Sequence, residues 1–508
     1  MYLALSCEIA AADAYAEHTL GVPVTELMGR SGLAVANAVR KYAALGSRVI
    51  IFAGGGNNGG DGYAAALELL SEYDTEVVDL FNKGQRSDAG KYYLNKYKER
   101  KNPIIPSGKE EILALISGCD CIVDAVFGTG MHGEPPREAL GLLELLGATR
   151  VKKIAVDVPL GVDADTGRVH SSAVKYDATV ALSYLKVGLV SYPAREYCGE
   201  IMLAGLDLPS TDIARALGFK HRYTDSELAR ELLPSRPENS NKGSFGRLLC
   251  IVGSEKFKGA AHLAIEGALR GGVGYVTEAA SSALISHLLQ AYPEVIYKDT
   301  DYTTAQGRRE LLSFAEGSTA VLIGSGCGAS VELAELCKAL MLTEGAPLIL
   351  DADAINSLSS LEDGGRAAFL GAKRKIILTP HPAELSRLIG VSVSQIQADR
   401  ISVARRVASE YGVTLLLKGA ASVICDREQL FVNSSGSSAL AKAGSGDALA
   451  GFLASLVAAG LAPTFAAALA AYLHGRAADS LSLEYSTLGV TPSDLPRQMA
   501  RETAALSK

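Results

Sequence analysis

Residues 442–451, KAGSGDALAG, combine glycines, a serine and an aspartate, and the apolar residues that follow are typical of a helix. Gly444 and Gly446 allow the backbone to approach a ligand closely, and the free N–H groups of a helix N-terminus favour an anion such as phosphate. Asp447 in the first helical turn suits the helix dipole but would repel a bound phosphate. These observations agree if Asp447 is a base that takes a proton from a hydroxyl group attacking phosphorus. An ordinary glycine-rich turn is the alternative.

A second group of polar residues lies in residues 54–62, GGGNNGGDG, directly after a short apolar segment. Its two amides and its carboxylate offer hard oxygen ligands, which suit K⁺, Mg²⁺ or Ca²⁺. The segment also satisfies the spacing GxGxxG, which alone is a weak signal for dinucleotide binding. Asn and Asp favour turns for local reasons as well. We interpret the segment as a cation or ligand site, with a purely local turn as the alternative.

The first half of the chain alternates strand and helix patterns, which indicates an α/β fold with a doubly wound, mostly parallel sheet. Apolar stripes over residues 6–42 predict two helices, and residues 63–71 predict a third. Strands are predicted at residues 48–53, 76–81, 121–126, 153–158, 178–183 and 200–204. Because ligands bind beyond the carboxyl ends of parallel strands, Asp124 and Asp157 should lie at the same edge as residues 54–62.

Residues 220–240 are polar and contain prolines, so we place a domain boundary there. The predicted domains are residues 1–220 and 226–508. A second α/β series follows, and a helix is predicted at residues 448–460. Its strands are predicted at residues 247–252, 274–278, 320–323, 347–350 and 375–378, with a strand–turn–strand segment over residues 415–422.

Length and composition restrict the function further. A chain of 508 residues needs two or more domains. Its 48% hydrophobic and 21% charged residues are typical of a soluble globular protein. The net charge of −7 argues against nucleic acid as a partner, and no apolar stretch is long enough for a bilayer, so we expect no membrane partner. We find no secretory signal, and eight cysteines without a CxxC pair indicate free thiols in the cytoplasm.

The first half resembles the epimerase domain that interconverts the two hydrates of NADH and NADPH, which implies a Rossmann-like domain. The resemblance covers about the first 210 residues and depends on motifs in the order that the family shows. These motifs are LMGRSG at residues 27–32, GGGNNGGDG at 54–62, DAVFGTG at 124–130 and VDVPLGVDADTG at 156–167.

This resemblance implies roles for single residues. The hydrate would contact Asn57, Asn58, Gly59, Gly60, Asp61, Gly128, Thr129, Gly130, Met131, His132, Gly133, Glu134 and Asp157. A K⁺ ion would be bound by Asn58, Asp124 and Leu160, which replaces the family's serine and could offer only its main-chain carbonyl. Inversion of the hydroxyl-bearing carbon requires proton transfer to and from oxygen, which Asp61, Asp124 or Asp157 could perform. We expect Asp157, because the cation would occupy Asp124.

The second half resembles the ADP- or ATP-dependent dehydratase for the same hydrates, a member of the ribokinase-like superfamily. Seven ordered motifs make this resemblance stronger than any one of them. They are KGSFGR at residues 242–247, KGAAHLAIEGALRGGVGYV at 258–276, GSGCG at 324–328, DADAIN at 351–356, LTPHPAEL at 378–385, LKGAAS at 417–422 and LAKAGSGDALAG at 440–451.

The second resemblance also assigns residues. The hydrate would contact Ala260, Gly326, Thr379, Pro380, His381, Pro382, Ala383, Glu384, Leu385 and Asp447. The nucleotide would contact Lys418, Gly419, Ala420, Ala421, Ser422, Ser437, Ser438, Ala439, Leu440, Ala441, Lys442, Ala443, Gly444, Ser445 and Gly446. Lys418 has a structural alternative, a salt bridge within a loop, and His381 has one as a locally hydrogen-bonded residue. Ala383 and Ala443 each add one methyl group to a position where the family has glycine.

Together the two resemblances imply a bifunctional repair enzyme with hydrated NADH or NADPH and ADP as its small-molecule partners. K⁺ is the expected cofactor of the epimerase domain and Mg²⁺ that of the dehydratase domain, and a homo-oligomer is expected. One alternative is a ribokinase-like kinase for a small, vitamin-type alcohol, with an accessory ligand-binding domain. Another is a non-catalytic first half that only binds a ligand or a partner.

Overall fold

The computed structural model describes residues 1–81 and 86–507. The chain divides into two compact units, Tyr2–His221 and the residues from Arg222 onward together with Met1. The strand His221–Thr224, β9, lies at this division. We describe each unit by itself below.

The N-terminal unit is built around a parallel sheet with the strand order β3-β2-β4-β5-β6-β8. A short parallel pair, β1 with β7, lies apart from it. The central strand β2 is buried on every residue but the first, as expected for a sheet covered on both faces. The strands are β1 (Tyr2–Ala4), β2 (Arg48–Ala53), β3 (Asp74–Asp79), β4 (Cys121–Ala125), β5 (Lys152–Val156), β6 (Ala178–Leu182), β7 (Leu185–Lys186) and β8 (Glu200–Ala204).

Helices cover both faces of this sheet. The long helices α2 and α3 share one apolar cluster with the sheet, and α5 and α6 share the cluster on the other face. The helices are α1 (Ser6–His18), α2 (Val24–Tyr42), α3 (Asn57–Leu69), α4 (Asp88–Lys98), α5 (Lys109–Ser117), α6 (Arg137–Gly147) and α7 (Ser210–Leu217), with 3-10 turns at Gly188–Val190 and Ala194–Glu196.

The segment NNGGDG differs from its prediction as a turn, because it forms the first two turns of α3. Its glycines are needed for close packing rather than for an unusual backbone conformation. A Cβ on Gly59 would lie 2.0 Å from the carbonyl oxygen of Gly54, and a Cβ on Gly62 would lie 2.7 Å from the Cβ of Ala125. The helix therefore begins six residues before the predicted one and presses its first turns against the strand ends.

The C-terminal unit contains a larger sheet, with parallel strands in the order β12-β11-β10-β13-β14-β15-β16, followed by the antiparallel strands β17 and β18. The strands are β10 (Arg247–Ile251), β11 (Tyr275–Ala280), β12 (Ile296–Asp299), β13 (Ala320–Ile323), β14 (Leu348–Leu350), β15 (Ile376–Leu378), β16 (Thr414–Leu417), β17 (Val423–Cys425) and β18 (Leu430–Asn433). Asp351, Thr379 and Lys418 directly follow β14, β15 and β16, so the sheet places them side by side.

The helices of this unit are α8 (Ser226–Leu232), α9 (Lys258–Arg270), α10 (Ser282–Leu288), α11 (Ala305–Glu316), α12 (Val331–Leu342), α13 (Asp353–Ser359), α14 (Arg366–Leu370), α15 (Pro382–Ile389), α16 (Val393–Ala398), α17 (Arg400–Tyr411), α18 (Ser445–Ala458), α19 (Pro463–Gly489) and α20 (Leu495–Leu506), with 3-10 turns at Lys242–Phe245 and Ser438–Leu440. Most residues of α18 are buried, as its apolar sequence requires. A Cβ on Gly451 of α18 would lie 1.8 Å from the carbonyl oxygen of Ala264 of α9. Only glycine permits the two helices to pack this closely.

The predicted α/β architecture is confirmed, and the strands predicted up to residue 378 are observed with ends shifted by at most two residues. All eight cysteines are free, and seven of them are buried. In the part of the chain that the structure describes, no helix combines the length and the apolar character needed to cross a bilayer.

The close packing at Gly59 leads to a prediction about the stability of the N-terminal unit. Gly59→Ala should lower the free energy of unfolding of the N-terminal unit by about 1–3 kcal/mol, because the added methyl group must displace backbone. Hydrogen exchange of the β2 amides in increasing urea measures this effect. The matched control is Gly56→Ala at the N-cap of the same helix, where a Cβ would have no neighbour within 4 Å. Equal stability of the two variants would contradict the packing argument.

Candidate active sites

A cavity of about 460 Å³ lies beyond the carboxyl ends of the central strands of the N-terminal unit. Its walls include a large part of the predicted hydrate site. These residues are Asn57, Asn58, Asp61, Gly128, Thr129, Gly130 and Asp157. Gly59 and Gly60 are buried within α3 instead. Most of the polar predicted residues are therefore brought together, while these two glycines serve the packing of the helix.

The second part of the predicted hydrate loop, residues 131–134, borders a neighbouring cavity of about 330 Å³. His170 Nε2 lies 2.8 Å from Glu134 Oε2, and His132 Nδ1 lies 3.5 Å from Asp163 Oδ2. These two contacts fasten the loop to the segment that follows β5. The predicted loop is thus divided between two adjoining cavities.

Two predicted carboxyl groups line the larger cavity, Asp61 from α3 and Asp157 from the turn after β5. Burial raises the pKa of Asp61 well above its ordinary value, the charge of Asp157 adds to this rise, and a hydrogen bond with Ser31 opposes it. Asp157 Oδ1 accepts a hydrogen bond from the Leu182 amide at 3.1 Å and contacts the Lys186 ammonium. The φ of Asp157 is 67°, which is uncommon for a residue other than glycine. The turn therefore holds this carboxylate firmly at the cavity wall.

Four polar residues of the cavity wall are missed by the sequence analysis, namely Asp13, Ser31, Ser183 and Lys186. Asp13 lies on α1 one helical turn after the buried Ile9. Its position as a carboxylate on an apolar helical face is a signal by which the sequence could have identified it. Lys186 is completely buried, which is rare for lysine, but its sequence context gives no signal. Burial raises the pKa of Asp13 to about 6, and the charge of Lys186 opposes this rise.

Asp124, the predicted cation ligand in β4, is completely buried and is not part of the cavity wall. Its carboxylate accepts hydrogen bonds from the Tyr176 hydroxyl at 2.5 Å and from the amides of Leu160 and Val126 at 3.0 and 3.1 Å. Burial raises the pKa of Asp124 to about 6, and these three donors limit the rise. The Leu160 side chain packs in an apolar cluster, so only its main chain reaches the carboxylate.

Asn58 provides an observation that bears on K⁺. Its side-chain nitrogen is buried without a hydrogen-bond partner, and turning the amide by 180° would put an oxygen in that position. Such an oxygen would suit a cation. The carboxylate of Asp124 would suit it too, because the hydroxyl and the two amides that donate to it carry no positive charge. Among residues 1–81 and 86–507, no three His, Cys, Asp or Glu side chains are grouped to hold a metal ion. An amide oxygen and a carboxylate are ligands that fit a hard cation such as K⁺.

In the C-terminal unit, α18 begins within KAGSGDALAG. Its N-cap Gly444 has a φ of 101°, and a Cβ there would lie 2.6 Å from a leucine side chain. The amide of Asp447 donates to the Gly444 carbonyl at 3.2 Å, and that of Ser445 donates to the Lys442 carbonyl at 3.2 Å. The turn therefore uses the N–H group of Ser445, one of the helix N-terminal N–H groups that are predicted to face a phosphate. Gly446 lies between these two residues at the helix end.

Lys418, at the end of β16, brings a positive charge to this helix end. Its Nζ lies 3.0 Å from Asp351 Oδ1 and 3.9 Å from Glu384 Oε2. A Cβ on Gly446 would lie 3.3 Å from Nζ, so the lack of a side chain there lets the ammonium approach the first turn of α18. Burial lowers the pKa of Lys418, but the charges of Asp351 and Glu384 outweigh it and the pKa is raised overall. The salt bridge predicted as the structural alternative exists, and the same ammonium lies beside the first turn of α18.

Asp447, which the sequence predicts as a base, lies in the first turn of α18. Burial raises its pKa to about 7, the charge of Asp351 adds to the rise, and Lys418 opposes it. A carboxyl group with a pKa near neutrality suits general base catalysis. Asp351 is not among the predicted site residues, yet it accepts hydrogen bonds from Thr379 Oγ1 at 2.6 Å and Ser325 Oγ at 2.8 Å. The sequence could have identified Asp351 by its position, because it is an acidic residue directly after a buried strand.

His381 begins α15 and has a structural role. Its Nδ1 accepts the amide hydrogens of Ala383 at 3.1 Å and Glu384 at 3.4 Å, and its Nε2 lies 3.2 Å from Glu384 Oε1. The side chain is nevertheless 48% exposed, so a ligand can reach the ring. Pro380 accepts the Lys418 amide at 2.9 Å, which fixes this segment to β16. The methyl group of Ala383 is accommodated within the helix.

The other predicted hydrate-binding residues differ in their surroundings. Gly326 has a φ of 69°, and a Cβ on it would lie 2.4 Å from the Cβ of Ala260, so these two residues adjoin each other. Ser254 Oγ donates to the Gly326 carbonyl at 2.9 Å. Leu385 is completely buried and contributes to the core.

The predicted nucleotide-binding residues fall in two segments. Residues 418–422 form the turn between β16 and β17, and residues 437–441 contain a 3-10 turn that precedes α18. Lys442 Nζ donates to the carbonyl oxygens of Leu488, at 2.6 Å, and Val490. Its ammonium therefore fastens the chain after α19. The other nucleotide contacts stay predictions.

Comparison with known proteins covers both halves. Residues 248–501 match the family described as NAD(P)H-hydrate dehydratase, and residues 24–188 match the family described as YjeF-related protein N-terminus. The chain is 32% identical over 510 residues to the bifunctional NAD(P)H-hydrate repair enzyme of Moorella thermoacetica, and the match covers 97% of this chain and 95% of that protein. The enzyme of the same name from Escherichia coli is 33% identical over 487 residues, which cover 94% of this chain and 90% of that protein.

A solved structure resembles the second half. The crystal structure of the ADP/ATP-dependent NAD(P)H-hydrate dehydratase from Bacillus subtilis, co-crystallised with ATP and Mg²⁺, covers 56% of this chain and 98% of that protein. The two are 28% identical, with a TM-score of 0.50. This likeness agrees with the ribokinase-like fold expected for the C-terminal unit.

The full-length relatives align with both halves in a single chain, so the alternative of a vitamin-type kinase with an unrelated first domain is not supported. Both family matches fall within the observed units. The chain therefore belongs to the family of bifunctional NAD(P)H-hydrate repair enzymes.

Proposed function

We propose that the C-terminal unit dehydrates the S-hydrate of NADH or NADPH with ADP as phosphoryl donor, giving AMP and phosphate. The N-terminal unit would interconvert the R- and S-hydrates and so supply the form that the dehydratase accepts. The observation that carries the proposal is Asp447 at the N-terminus of α18, with the Lys418 ammonium beside the same helix turn. A base and a phosphate cradle at one place suit the phosphorylation of an alcohol.

The first step is phosphoryl transfer. The carboxylate of Asp447 takes the proton of the ring hydroxyl, whose oxygen attacks the terminal phosphorus of ADP and displaces AMP. Lys418 and the amide of Gly446 stabilise the negative charge on the transferring group. A base is needed because a neutral hydroxyl is a weak nucleophile.

The second step is elimination. The ring nitrogen donates its electron pair as the carbon–oxygen bond breaks, and phosphate leaves. Loss of a proton from the neighbouring carbon then restores the dihydronicotinamide ring. The hydroxyl is thereby converted into a good leaving group at the expense of one phosphoric anhydride bond.

Mg²⁺ would accompany the nucleotide in this reaction. Within residues 1–81 and 86–507, three acidic, cysteine or histidine side chains are nowhere grouped as a metal site. An ion that lacks such a group of protein ligands is held mainly by nucleotide phosphates and water, as Mg²⁺ usually is. When bound, Mg²⁺ neutralises charge on the phosphates. The co-crystallisation of the Bacillus subtilis dehydratase with ATP and Mg²⁺ supports this proposal.

In the N-terminal unit, Asp157 would move protons to and from the ring oxygen during epimerisation. It lines the cavity, and Lys186 balances its charge. Asn58 and Asp124 would hold K⁺, which when bound neutralises the buried carboxylate of Asp124. We expect weaker K⁺ binding than in relatives with a serine at position 160, because Leu160 lacks a side-chain oxygen.

One experiment tests the whole proposal. Hydrated NADH is mixed with the protein and ADP, and in a second cuvette with ATP, and the absorbance of the reduced nicotinamide ring is followed. We expect the absorbance to return with ADP, first from the S-hydrate and then, more slowly, from the R-hydrate. No return with either nucleotide would contradict the dehydratase function. Recovery of only the S-hydrate would contradict the epimerase function.

Replacement of the proposed base gives a sharper prediction. Asp447→Asn should lower the turnover of the S-hydrate by about 10³-fold or more, because the amide cannot accept the proton. Equilibrium binding of ADP should change little, since the variant keeps the helix end and Lys418. Steady-state rates and calorimetric titration measure the two effects. Turnover near that of the wild type would refute the assignment.

The raised pKa of Asp447 predicts two opposite pH effects. The active form is the carboxylate, so the S-hydrate rate should rise as pH increases toward about 7 and level off above it. Ionisation of a group with a raised pKa destabilises the folded state as pH rises. Asp447→Asn should therefore be more stable than the wild type at pH 8, by about 1–3 kcal/mol, and equally stable near pH 4. Urea denaturation at both pH values measures the difference.

Replacement of Asp157 separates the two activities. Asp157→Asn should slow the exchange of R- and S-hydrates by about 10²-fold or more, and the conversion of S-hydrate with ADP should stay unchanged. Chromatographic separation of the epimers measures the first rate, and absorbance measures the second. Loss of both rates would indicate misfolding instead of a catalytic role.

A further inference from the structure

Lys186 is the most unusual residue of the N-terminal cavity. Its side chain is completely buried, yet it forms part of the cavity wall. It lies in the two-residue strand β7, which follows β6 after a short turn. A buried ammonium is unfavourable unless it is paired, and it is seldom kept for stability alone. Its position at a cavity suggests a task in the reaction.

The contacts of Lys186 leave it able to act on a ligand. Its Nζ donates to Asp157 Oδ1 and to the carbonyl oxygen of Leu182, the latter at 2.7 Å. An ammonium has three N–H donors, so one remains for a group in the cavity. The ion pair with Asp157 also offsets the cost of burying the ammonium.

The second oxygen of Asp157 completes the arrangement. Oδ2 lies 3.0 Å from the point where a Cβ of Gly128 would be, and Gly128 lines the same cavity. The two oxygens of the carboxylate thus face different groups, one the lysine and the other the loop at Gly128. Asp13 and Asp61 are the further carboxyl groups that line the cavity with this pair, so acidic side chains lie near any positive charge on a bound ring. Burial raises the pKa of both.

We propose that Lys186 is a further catalytic residue of the epimerase site, which protonates the hydroxyl group as it leaves the ring. Asp157 Oδ2 then takes the proton of the water molecule that adds to the opposite face. The inference rests on the epimerase function proposed above and assigns the acid and the base of that reaction to one buried ion pair.

The reaction balances without any other reactant. The ring nitrogen forms a double bond to the neighbouring carbon as the carbon–oxygen bond breaks, and the oxygen leaves as water with a proton from Lys186. Water adds to the other face, its electron pair forms the new bond, the double-bond electrons return to nitrogen, and its proton passes to Asp157. The proton then returns from Asp157 to the neutral lysine along their hydrogen bond. The Asp13 carboxylate, which lines the same cavity, stabilises the cationic ring between the two steps.

The test uses the full chain and a mixture of both hydrates with excess ADP. The early phase of absorbance return reports the dehydratase, and the late phase reports the epimerase. Lys186→Met should leave the early phase unchanged and reduce the late phase at least 100-fold, toward the spontaneous rate of exchange. Lys186→Arg should lose the late phase as well, because a guanidinium stays charged but does not release its proton.

Lys153→Met is the matched control. Lys153 is also buried in the N-terminal unit, but its Nζ donates to the carbonyl oxygens of Thr149 and Val151, and it is not part of the cavity wall. This control should keep both phases. Hydrogen exchange of the β2 amides checks that each variant is folded.

The outcomes are distinct. A late phase within threefold of the wild-type rate in Lys186→Met overturns the proposal. If that variant is unfolded, Lys186→Arg decides, since a wild-type late phase there would mean that charge alone is needed and would also overturn the proposal. A wild-type protein without a late phase contradicts the epimerase function itself and leaves the dehydratase unaffected.

Discussion

A lysine paired with carboxylates is the interaction on which each half of the chain depends. Lys186 pairs with Asp157 in the N-terminal unit, and Lys418 lies between Asp351 and Glu384 in the C-terminal unit. Charges in a dry site persist only when they are paired, and removal of one partner leaves the other unfavourably buried. Each lysine therefore offsets the repulsion between the acidic groups around it and lets them lie close together. The proposed proton transfer and phosphate binding both depend on this arrangement.

The fold brings these groups together through close backbone contacts. Parallel strands end at one edge of each sheet, so residues far apart in sequence become neighbours there. Glycines in the helices above these edges have no Cβ. A helix can therefore pack against a strand, or against another helix, more closely than a side chain would allow. Gly62 packs against Ala125 in the first unit, and Gly451 packs against Ala264 in the second. The glycine-rich motifs thus determine where the active groups lie as well as which ligands can approach.

The sequence predicts the architecture well because apolar strands and the acids and amides that follow them have a strong local pattern. It correctly indicates a cluster at one edge of the first sheet, where Asp61 and Asp157 line one cavity. It fails where a tertiary contact overrides the local rule, as in NNGGDG, which reads as a turn but is helical because strand ends pack against it. It also misses Lys186, since burial of a lysine depends on partners that are distant in sequence.

The conflict between a carboxylate and a phosphate cradle at the start of α18 is resolved by the charges around it. Burial, and after it the negative groups near Asp447, make its ionised form unfavourable, which raises its pKa and makes it a stronger base. A bound nucleotide adds negative charge and would raise the pKa further, so a nearby cation must limit the rise. His474 cannot serve, because burial lowers its pKa to about 4 and leaves it neutral. Lys418 carries that charge, and the basicity of Asp447 is consequently set by the same ammonium that would hold the phosphate.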